Sequence, residues 1–347
     1  MLEVVKLKNF RSHKDYIIQL GEGLNIVVGP NASGKTNLLE SIYLSLTGTS
    51  FRTSDINVLN NKSDWSRVDL SGLGFDRTVK LRKVNNKLIK EFIVNGDQSK
   101  TLNKNNKHPV VLFEPHVLSL INGSPTKRRD YLDKLISSFD EDYKKSLAVY
   151  KRALLQRNNL LKQNSSINDF FSWDIQLIDS GSKVIKKRKD IFKDINKDIE
   201  TNYLSISGKK QKLEVVYNPS TSLQKFQTDL RESSNKDRII GSTSVGPHRD
   251  DYLFVLGDSN ADISASRGEC RSIVLALKLF EIGCLSNAFD STKPILLFDD
   301  VLGELDGSRR KKLTKILNDH QTIITTTDAD VAIGLSKNSR IIPIQTK

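Results

Sequence analysis

Cysteine is nearly absent from this chain. Cys270 and Cys284 are the only two among 347 residues, and both fall in a stretch that reads as helix. Such a pair suits apolar packing in a reducing cytoplasm better than a disulfide framework or a metal site. Long apolar runs are missing too. No stretch approaches the roughly 18 residues of a membrane span, so no membrane partner is expected. The opening Met1-Leu2-Glu3-Val4-Val5-Lys6-Leu7-Lys8-Asn9-Phe10-Arg11 lacks the long apolar core of a signal peptide, and a cytoplasmic location is the expectation. There is no internal repeat and no low-complexity tract.

What is abundant is charge. Charged residues make up 27% and hydrophobic ones 37%, which suits a globular protein with a large core in two or three lobes. The formal net charge is +13. That is either a solubilising surface or the footprint of a polyanion partner, nucleic acid or an acidic membrane surface, and the charge favours nucleic acid.

The chain is organised around Gly29-Pro30-Asn31-Ala32-Ser33-Gly34-Lys35-Thr36, which is G-x-x-x-x-G-K-T. The glycines allow a tight turn in which successive N–H groups face phosphate oxygens. Lys35 is placed to reach the β- and γ-phosphates of ATP, and the Thr36 hydroxyl to hold Mg²⁺. Leu24 to Val28 before the loop reads as a short buried strand. Asn37 to Leu44 after it is apolar at helical spacing. A helix N-terminus adds partial positive charge to the same place.

Residues 1–28 read as two strands joined by the polar turn Arg11-Ser12-His13-Lys14. Residues 66–95 read as a meander with turn chemistry at Asn85-Asn86 and Asn95-Gly96. Pro109 to Phe113 is a buried strand. From about 126 to 203 the apolar spacing is helical, broken at Asn164-Ser165-Ser166, which predicts a helical arm or lid. Its densest basic run, Lys183-Val184-Ile185-Lys186-Lys187-Arg188-Lys189, is expected to face solvent or phosphate. Strands return at Leu213 to Tyr217 and Tyr252 to Leu256, with the polar loop Gly241 to Asp251 before the second. A helix is expected over roughly 268–288, and the end of the chain alternates strand and helix as a parallel sheet does.

Pro294-Ile295-Leu296-Leu297-Phe298-Asp299-Asp300 is an apolar strand ending in two carboxylates, the Walker B pattern. Asp299 is expected to hold Mg²⁺, and Asp300 to position or deprotonate the attacking water. Aspartate reaches one methylene less far than glutamate, so slow hydrolysis follows if Asp300 is the base. Glu304 is a second candidate carboxylate. Ser264-Ala265-Ser266-Arg267-Gly268-Glu269 precedes the 268–288 helix. Alone it is a helix cap. Beside the other two motifs it resembles the signature motif of ABC-type ATPases, with Ser266, Gly268 and Glu269 acting in trans. In that group the signature serine and its helix N-terminus bind the γ-phosphate of ATP held by the opposite subunit, which implies an ATP-dependent homodimer.

Over nearly its whole length the chain resembles the RecF family, in the SMC-like branch of ABC ATPases. The resemblance is carried by Leu7-Lys8-Asn9-Phe10-Arg11, the P-loop with Asn37-Leu38-Leu39-Glu40, and Ser50-Phe51-Arg52-Thr53. Gly123 to Asp133 and Gly246-Pro247-His248-Arg249-Asp250-Asp251 follow and are the most telling blocks. It implies an α/β fold: an ABC-type, SMC-like P-loop ATPase head with a mixed sheet, plus a helical arm or lid domain. The expected division is 1–120 for the N-terminal part of the head, 121–208 for the arm, and 209–347 for the C-terminal part with signature and Walker B. It further implies a slow, Mg-dependent, DNA-stimulated ATPase of recombination, replication, repair and the SOS response, associated with the nucleoid. Its ATP-bound dimer binds single- and double-stranded DNA at gaps and helps to load RecA with RecO- and RecR-like mediators.

Three departures stand out. Ala32 replaces a glycine usual at this point and can serve if its φ is negative. Ser264-Ala265 lacks the leucine common before the signature serine. Ile323-Ile324-Thr325-Thr326-Thr327-Asp328 sits where transporters carry a switch histidine, so Thr327 or a neighbour is expected to take over at the γ-phosphate side. No Q-loop glutamine is assigned; its expected region runs from His108 to His116. Arg11 and Arg52 are expected near nucleotide or DNA, or in structural ion pairs. Arg128, Arg129 and the 246–251 loop are read either way. The alternatives are an ABC-type ATPase subunit and a P-loop kinase, neither acting on DNA. The first wants the missing switch histidine, and the second needs no signature motif.

Overall fold

The computed structural model describes residues 1–52, 58–60, 63–85, 87–163, 165–328 and 339–344. The chain forms two compact units, Met1–Val117 with Ile282–Lys347, and Leu118–Glu281. In chain order the first unit opens with β1 (Val4–Phe10), β2 (His13–Gln19), β3 (Leu24–Val28), α1 (Lys35–Thr47), β4 (Trp65–Gly72), β5 (Phe75–Val84), β6 (Lys87–Val94), β7 (Asp97–Ser99) and β8 (Val110–Phe113). The second holds α2 (Ser119–Asn122), α3 (Pro125–Phe139), α4 (Glu141–Lys162), α5 (Ile167–Ser207), β9 (Leu213–Asn218), α6 (Phe226–Glu232), α7 (Ser234–Ile240), β10 (Asp251–Leu256), β11 (Ser259–Asn260), α8 (Ala261–Ser264) and most of α9 (Arg267–Ala288). The first unit then resumes with β12 (Ile295–Asp299), α10 (Gly307–Leu317), β13 (Thr322–Thr326) and β14 (Ser339–Pro343).

In the first unit, parallel and antiparallel strands are sorted into two sheets. The five-stranded sheet runs β14-β3-β13-β12-β8, with all neighbours parallel. Its inner strands β3, β13 and β12 are buried along nearly their whole length, as strands covered on both faces must be, although β13 carries three threonines among its five residues. Phe113 and Phe298 face each other across β8 and β12 with rings stacked 3.9 Å apart. The six-stranded sheet β2-β1-β4-β5-β6-β7 is antiparallel. Buried and exposed residues alternate along β4, so one face of this sheet is core. That core is shared with Leu38, Leu39 and Ile42 of α1 and with Val27, Leu297 and Ile323 of the parallel sheet. The P-loop helix is therefore fixed by apolar packing along most of its length. The β6–β7 hairpin turns at Asn95-Gly96 with positive φ at both residues, as the turn chemistry predicts. Of the Asn85-Asn86 turn, Asn85 has φ 48° and Asn86 lies outside the described residues.

In the second unit, α4 starts at Asp140, whose side chain accepts the Tyr143 N–H. The 41-residue α5 starts in a Ser166/Asp169 capping box and stops at Gly208 with φ 72°. The antiparallel sheet β11-β10-β9 is tied to α5 through Asn196, whose amide bonds both backbone groups of Val215. Residues 209–281 therefore gather with the helices, whereas the sequence assigned 209–347 to the head as one piece. Two further expectations change. The turn after β1 is shorter than Arg11 to Lys14, because His13 already opens β2. Residues 226–240 form two short helices that the sparse apolar pattern does not announce. Among the described residues, no helix is long and apolar enough to cross a membrane.

Candidate functional site

The loop between β3 and α1 is shaped by its glycines. Gly34 has φ 97°, and a Cβ there would lie 2.6 Å from His13 Nε2 and 2.9 Å from Ser12 Oγ. A Cβ at Gly29 would lie 2.5 Å from the Ile344 carbonyl oxygen. Ala32 has φ 64°, so the condition of negative φ set for an alanine here is not met. An alanine in the left-handed region costs on the order of 1 kcal/mol, and the surrounding loop holds it there. Among the described residues, the buried Ser33 hydroxyl has no hydrogen-bond partner. Pro30 and Asn31 complete the turn. Lys35 donates to the carbonyls of Gly29 at 2.7 Å and Pro30 at 2.8 Å. Burial pushes its pKa down, and the carboxylates of Asp300 and Asp299 partly offset this.

The parallel sheet places Asp299, the last residue of β12, beside this loop. Thr36 Oγ1 donates to Asp299 Oδ1 at 2.9 Å across 263 residues of sequence. A second hydroxyl, Thr325 Oγ1 on β13, lies 2.9 Å from the same oxygen, because Asp299 and Thr325 are register partners. Thr325 also accepts the Asp300 N–H at 3.2 Å. Asp300 turns out of the strand at φ 53°. Among the described residues no hydrogen bond engages its carboxylate. A hydroxyl and a carboxylate are hard oxygen donors of the kind Mg²⁺ takes together with substrate phosphates. The orphaned Ser33 hydroxyl and the glycine cradle are equally matched to phosphate oxygens. The residues present therefore fit Mg-ATP.

Behind the loop lies a polar brace. Glu40 on α1 is fully buried and receives Arg11 at 2.9 Å from Nε and 2.7 Å from Nη2. Ser50 donates to the same carboxylate at 2.5 Å. Arg52 bonds Asn37 at 2.9 Å, and Asn37 bonds Ser12 at 2.8 Å. His13 Nε2 lies 3.1 Å from the Gly34 carbonyl. Arg11 and Arg52 thus serve as ion-pairing and bracing groups, one of the two roles foreseen for them. Thr53 of the family block lies outside the described residues, as do the side chains of Glu304 and His116. Thr327 is exposed, whereas Thr325 carries the contact to the acidic pair. Its role was missed because only the strand register reveals it.

The signature segment lies in the second unit and is described there alone. Ser266 and Glu269 form a reciprocal cap at the start of α9. The Ser266 N–H donates to Glu269 at 3.0 Å and its hydroxyl donates at 2.8 Å. These two bonds hold the Glu269 carboxyl below its usual range. Ser266 is exposed, and Gly268 follows in the first turn.

The 246–251 loop is a structural knot. Arg188 is only 2% exposed and bonds Asp133 at 2.8 Å, Asp250 at 2.9 Å and the Pro247 carbonyl at 2.6 Å. The basic run at 183–189 is therefore not a uniform solvated face: Val184, Ile185 and Arg188 point inward. Arg128 makes two bonds to Asp251, and Arg129 donates to the Asp250 carbonyl. His248 sits between the Tyr150 hydroxyl at 2.6 Å and the Thr243 carbonyl at 2.9 Å, and burial lowers its pKa to about 4.

Comparison with known proteins agrees with this geometry. Residues 1–347 match the family model of the RecF/RecN/SMC N terminal domain. The DNA replication and repair protein RecF of Streptococcus gordonii is 35% identical, with 99% of this chain and 98% of that protein covered. RecF of Lachnospira eligens is 34% identical over 97% of this chain and 95% of that protein. Among solved structures, the recombination mediator protein RecF-ATPrS in the RecFOR pathway superposes with a TM-score of 0.84 and 31% identity, covering 94% of this chain and 92% of that one. An Smc head bound to the C-winged helix domain of ScpA, at 17% identity and a TM-score of 0.54, shares the fold. The fold is that of an SMC-like, ABC-type ATPase head. The chain belongs to the RecF/RecN/SMC family and, within it, to the RecF proteins of DNA replication and repair.

Proposed function

We propose that this protein is a slow Mg-dependent ATPase that binds DNA in recombinational repair and replication. Its ATP-bound form is a homodimer closed over single- and double-stranded DNA at gaps. There it acts with RecO- and RecR-like mediators in RecA loading, and DNA stimulates its hydrolysis. The observation that carries the reading is the Thr36–Asp299 bond, which joins P-loop and Walker B strand into one oxygen-lined site. The ATP-bound RecF relative, at 30% identity and a TM-score of 0.83, supports ATP as the substrate.

The roles follow from the residues. The loop N–H groups of Asn31 to Gly34 bind phosphate oxygens, and the N-terminus of α1 adds positive potential. Lys35 exchanges its two carbonyl partners for phosphate oxygens, so its charge is delivered where negative charge develops. Thr36 and Asp299 hold Mg²⁺, which neutralises phosphate charge when bound. Asp300 orients the attacking water, and its short side chain keeps turnover slow. Ser266, Gly268 and Glu269 present a capped helix N-terminus to the nucleotide of a second copy. The net charge of +13 supports sequence-independent contact with a phosphate backbone.

The test measures gap-DNA affinity and ATP hydrolysis in wild type, Lys35→Arg and Ser266→Arg. The expected result is ATP-strengthened DNA binding in wild type, and loss of that gain in both variants. DNA affinity that ignores ATP refutes the clamp. An unchanged hydrolysis rate in Lys35→Arg refutes the site.

A further inference from the structure

We propose that Thr325 is the positioning residue of the acidic pair, pinning Oδ1 of Asp299 so that Oδ2 is the oxygen offered to the divalent cation. This rests on the Mg-ATP reading above and names how the chain itself orients that ligand. Asp299 Oδ1 lies 2.9 Å from each of two hydroxyls, Thr36 Oγ1 and Thr325 Oγ1. Both are donors to it, since a carboxylate oxygen only accepts. Thr36 spends its proton on Asp299 and keeps its lone pairs for a cation. Thr325 is fully buried and has no such second task. Its proton has one rival acceptor, the Phe298 carbonyl at 3.2 Å, and the shorter, charge-assisted bond wins. Among the described residues, no hydrogen bond reaches Asp299 Oδ2.

The same hydroxyl accepts the Asp300 N–H at 3.2 Å. One side chain therefore touches the ligating carboxylate and the backbone turn that aims its neighbour. The Asp300 N–H also meets the Thr325 carbonyl at 3.1 Å, so the turn survives loss of the hydroxyl. Thr325→Val keeps the shape and the strand preference and replaces the hydroxyl with a methyl, which neither donates nor accepts. The carboxylate of Asp299 is then held by Thr36 alone and rotates. Thr325 lies two residues before Thr327, the position expected to stand in for a switch histidine, and it acts on the cation ligand rather than on the γ-phosphate.

The test uses full-length wild type, Thr325→Val, Thr325→Ala and Thr325→Ser. Binding of a fluorescent ATP analogue is titrated in EDTA and in Mg²⁺, and Mn²⁺ bound to the protein–nucleotide complex is counted by electron paramagnetic resonance. Nucleotide affinity in EDTA is expected to stay within twofold in all variants. The Mn²⁺ dissociation constant should rise about tenfold in Val and Ala, the scale of one charge-assisted hydrogen bond, and return to within twofold in Ser. Wild-type Mn²⁺ affinity in Thr325→Val overturns the proposal, as does a Ser variant as weak as Val. Failure of both Val and Ala to fold overturns it too, since the hydroxyl then serves stability. If wild-type nucleotide binding ignores the cation, the Mg-ATP reading itself falls and this assignment falls with it.

Discussion

Neutralising Glu40 tests how the P-loop helix is held. Its carboxylate is fully buried on α1, while its main partner Arg11 is 16% exposed at the β1–β2 turn. Glu40→Gln keeps the shape and removes the charge. It takes one strong acceptor from Arg11 and weakens the bond from Ser50. Breaking a buried ion pair costs about 3–5 kcal/mol, and the access of water to Arg11 places this case near the low end, at about 3 kcal/mol. Arg11→Met leaves a buried carboxylate with Ser50 and with Arg52, which is 3.8 Å away, so its cost is expected at about 4 kcal/mol. The double variant should be less destabilised than the sum of the two by about 2 kcal/mol. Each unit carries one tryptophan, Trp65 in the first and Trp173 in the second. Urea unfolding in a Trp173→Phe background therefore reads the first unit alone. The coupling should persist in 1 M NaCl, because buried pairs are screened little. Additivity within about 0.5 kcal/mol, or coupling that vanishes in salt, refutes the brace.

Gly34→Ala combines left-handed strain with a clash against His13, and nucleotide affinity measured by fluorescence titration should fall about thirtyfold, the equivalent of about 2 kcal/mol. Arg188→Met takes the shared guanidinium from the buried carboxylates of Asp133 and Asp250, and urea unfolding followed by Trp173 should show a loss of about 3–5 kcal/mol. His108 and His248 are half-buried, with pKa lowered to about 4 so that both are neutral at pH 7, His108 by desolvation and then by the charge of Arg77. Unfolding lets each take up a proton near its ordinary value, so their contribution is complete above about pH 6.5 and is lost as the pH falls toward 4. At pH 5 each should cost about 2 kcal/mol, read as a drop in urea midpoint that is smaller in His248→Asn for the second unit.

The parts of the site made of neighbours in sequence were legible. Leu24 to Val28, the P-loop and α1 announce themselves through a buried run, glycines and helical spacing. Asp299 is the acidic end of an apolar strand. What depends on distant partners was not. Thr325 is one threonine among three until β13 pairs with β12 and sets it opposite Asp299. Arg188 lies in a run of lysines, and nothing local shows that its carboxylates come from 55 and 62 residues away. Ala32 was read by the preference of alanine, which the loop overrides with φ 64°. α6 and α7 were missed because Phe226 and Leu230 are the only strongly buried apolar residues along them. The signature cap was legible as Ser before Glu, and the structure shows both halves of its exchange.

The central claim is that Mg-ATP on Lys35 and Thr36 is completed by the Ser266 segment of a second copy. Sedimentation velocity with and without Mg-ATP, in wild type and Ser266→Arg, tests it most directly. The account predicts that wild type doubles from 39.1 kDa only with Mg-ATP, and that Ser266→Arg binds nucleotide yet stays single. A wild-type mass that does not respond to Mg-ATP while nucleotide is bound contradicts it.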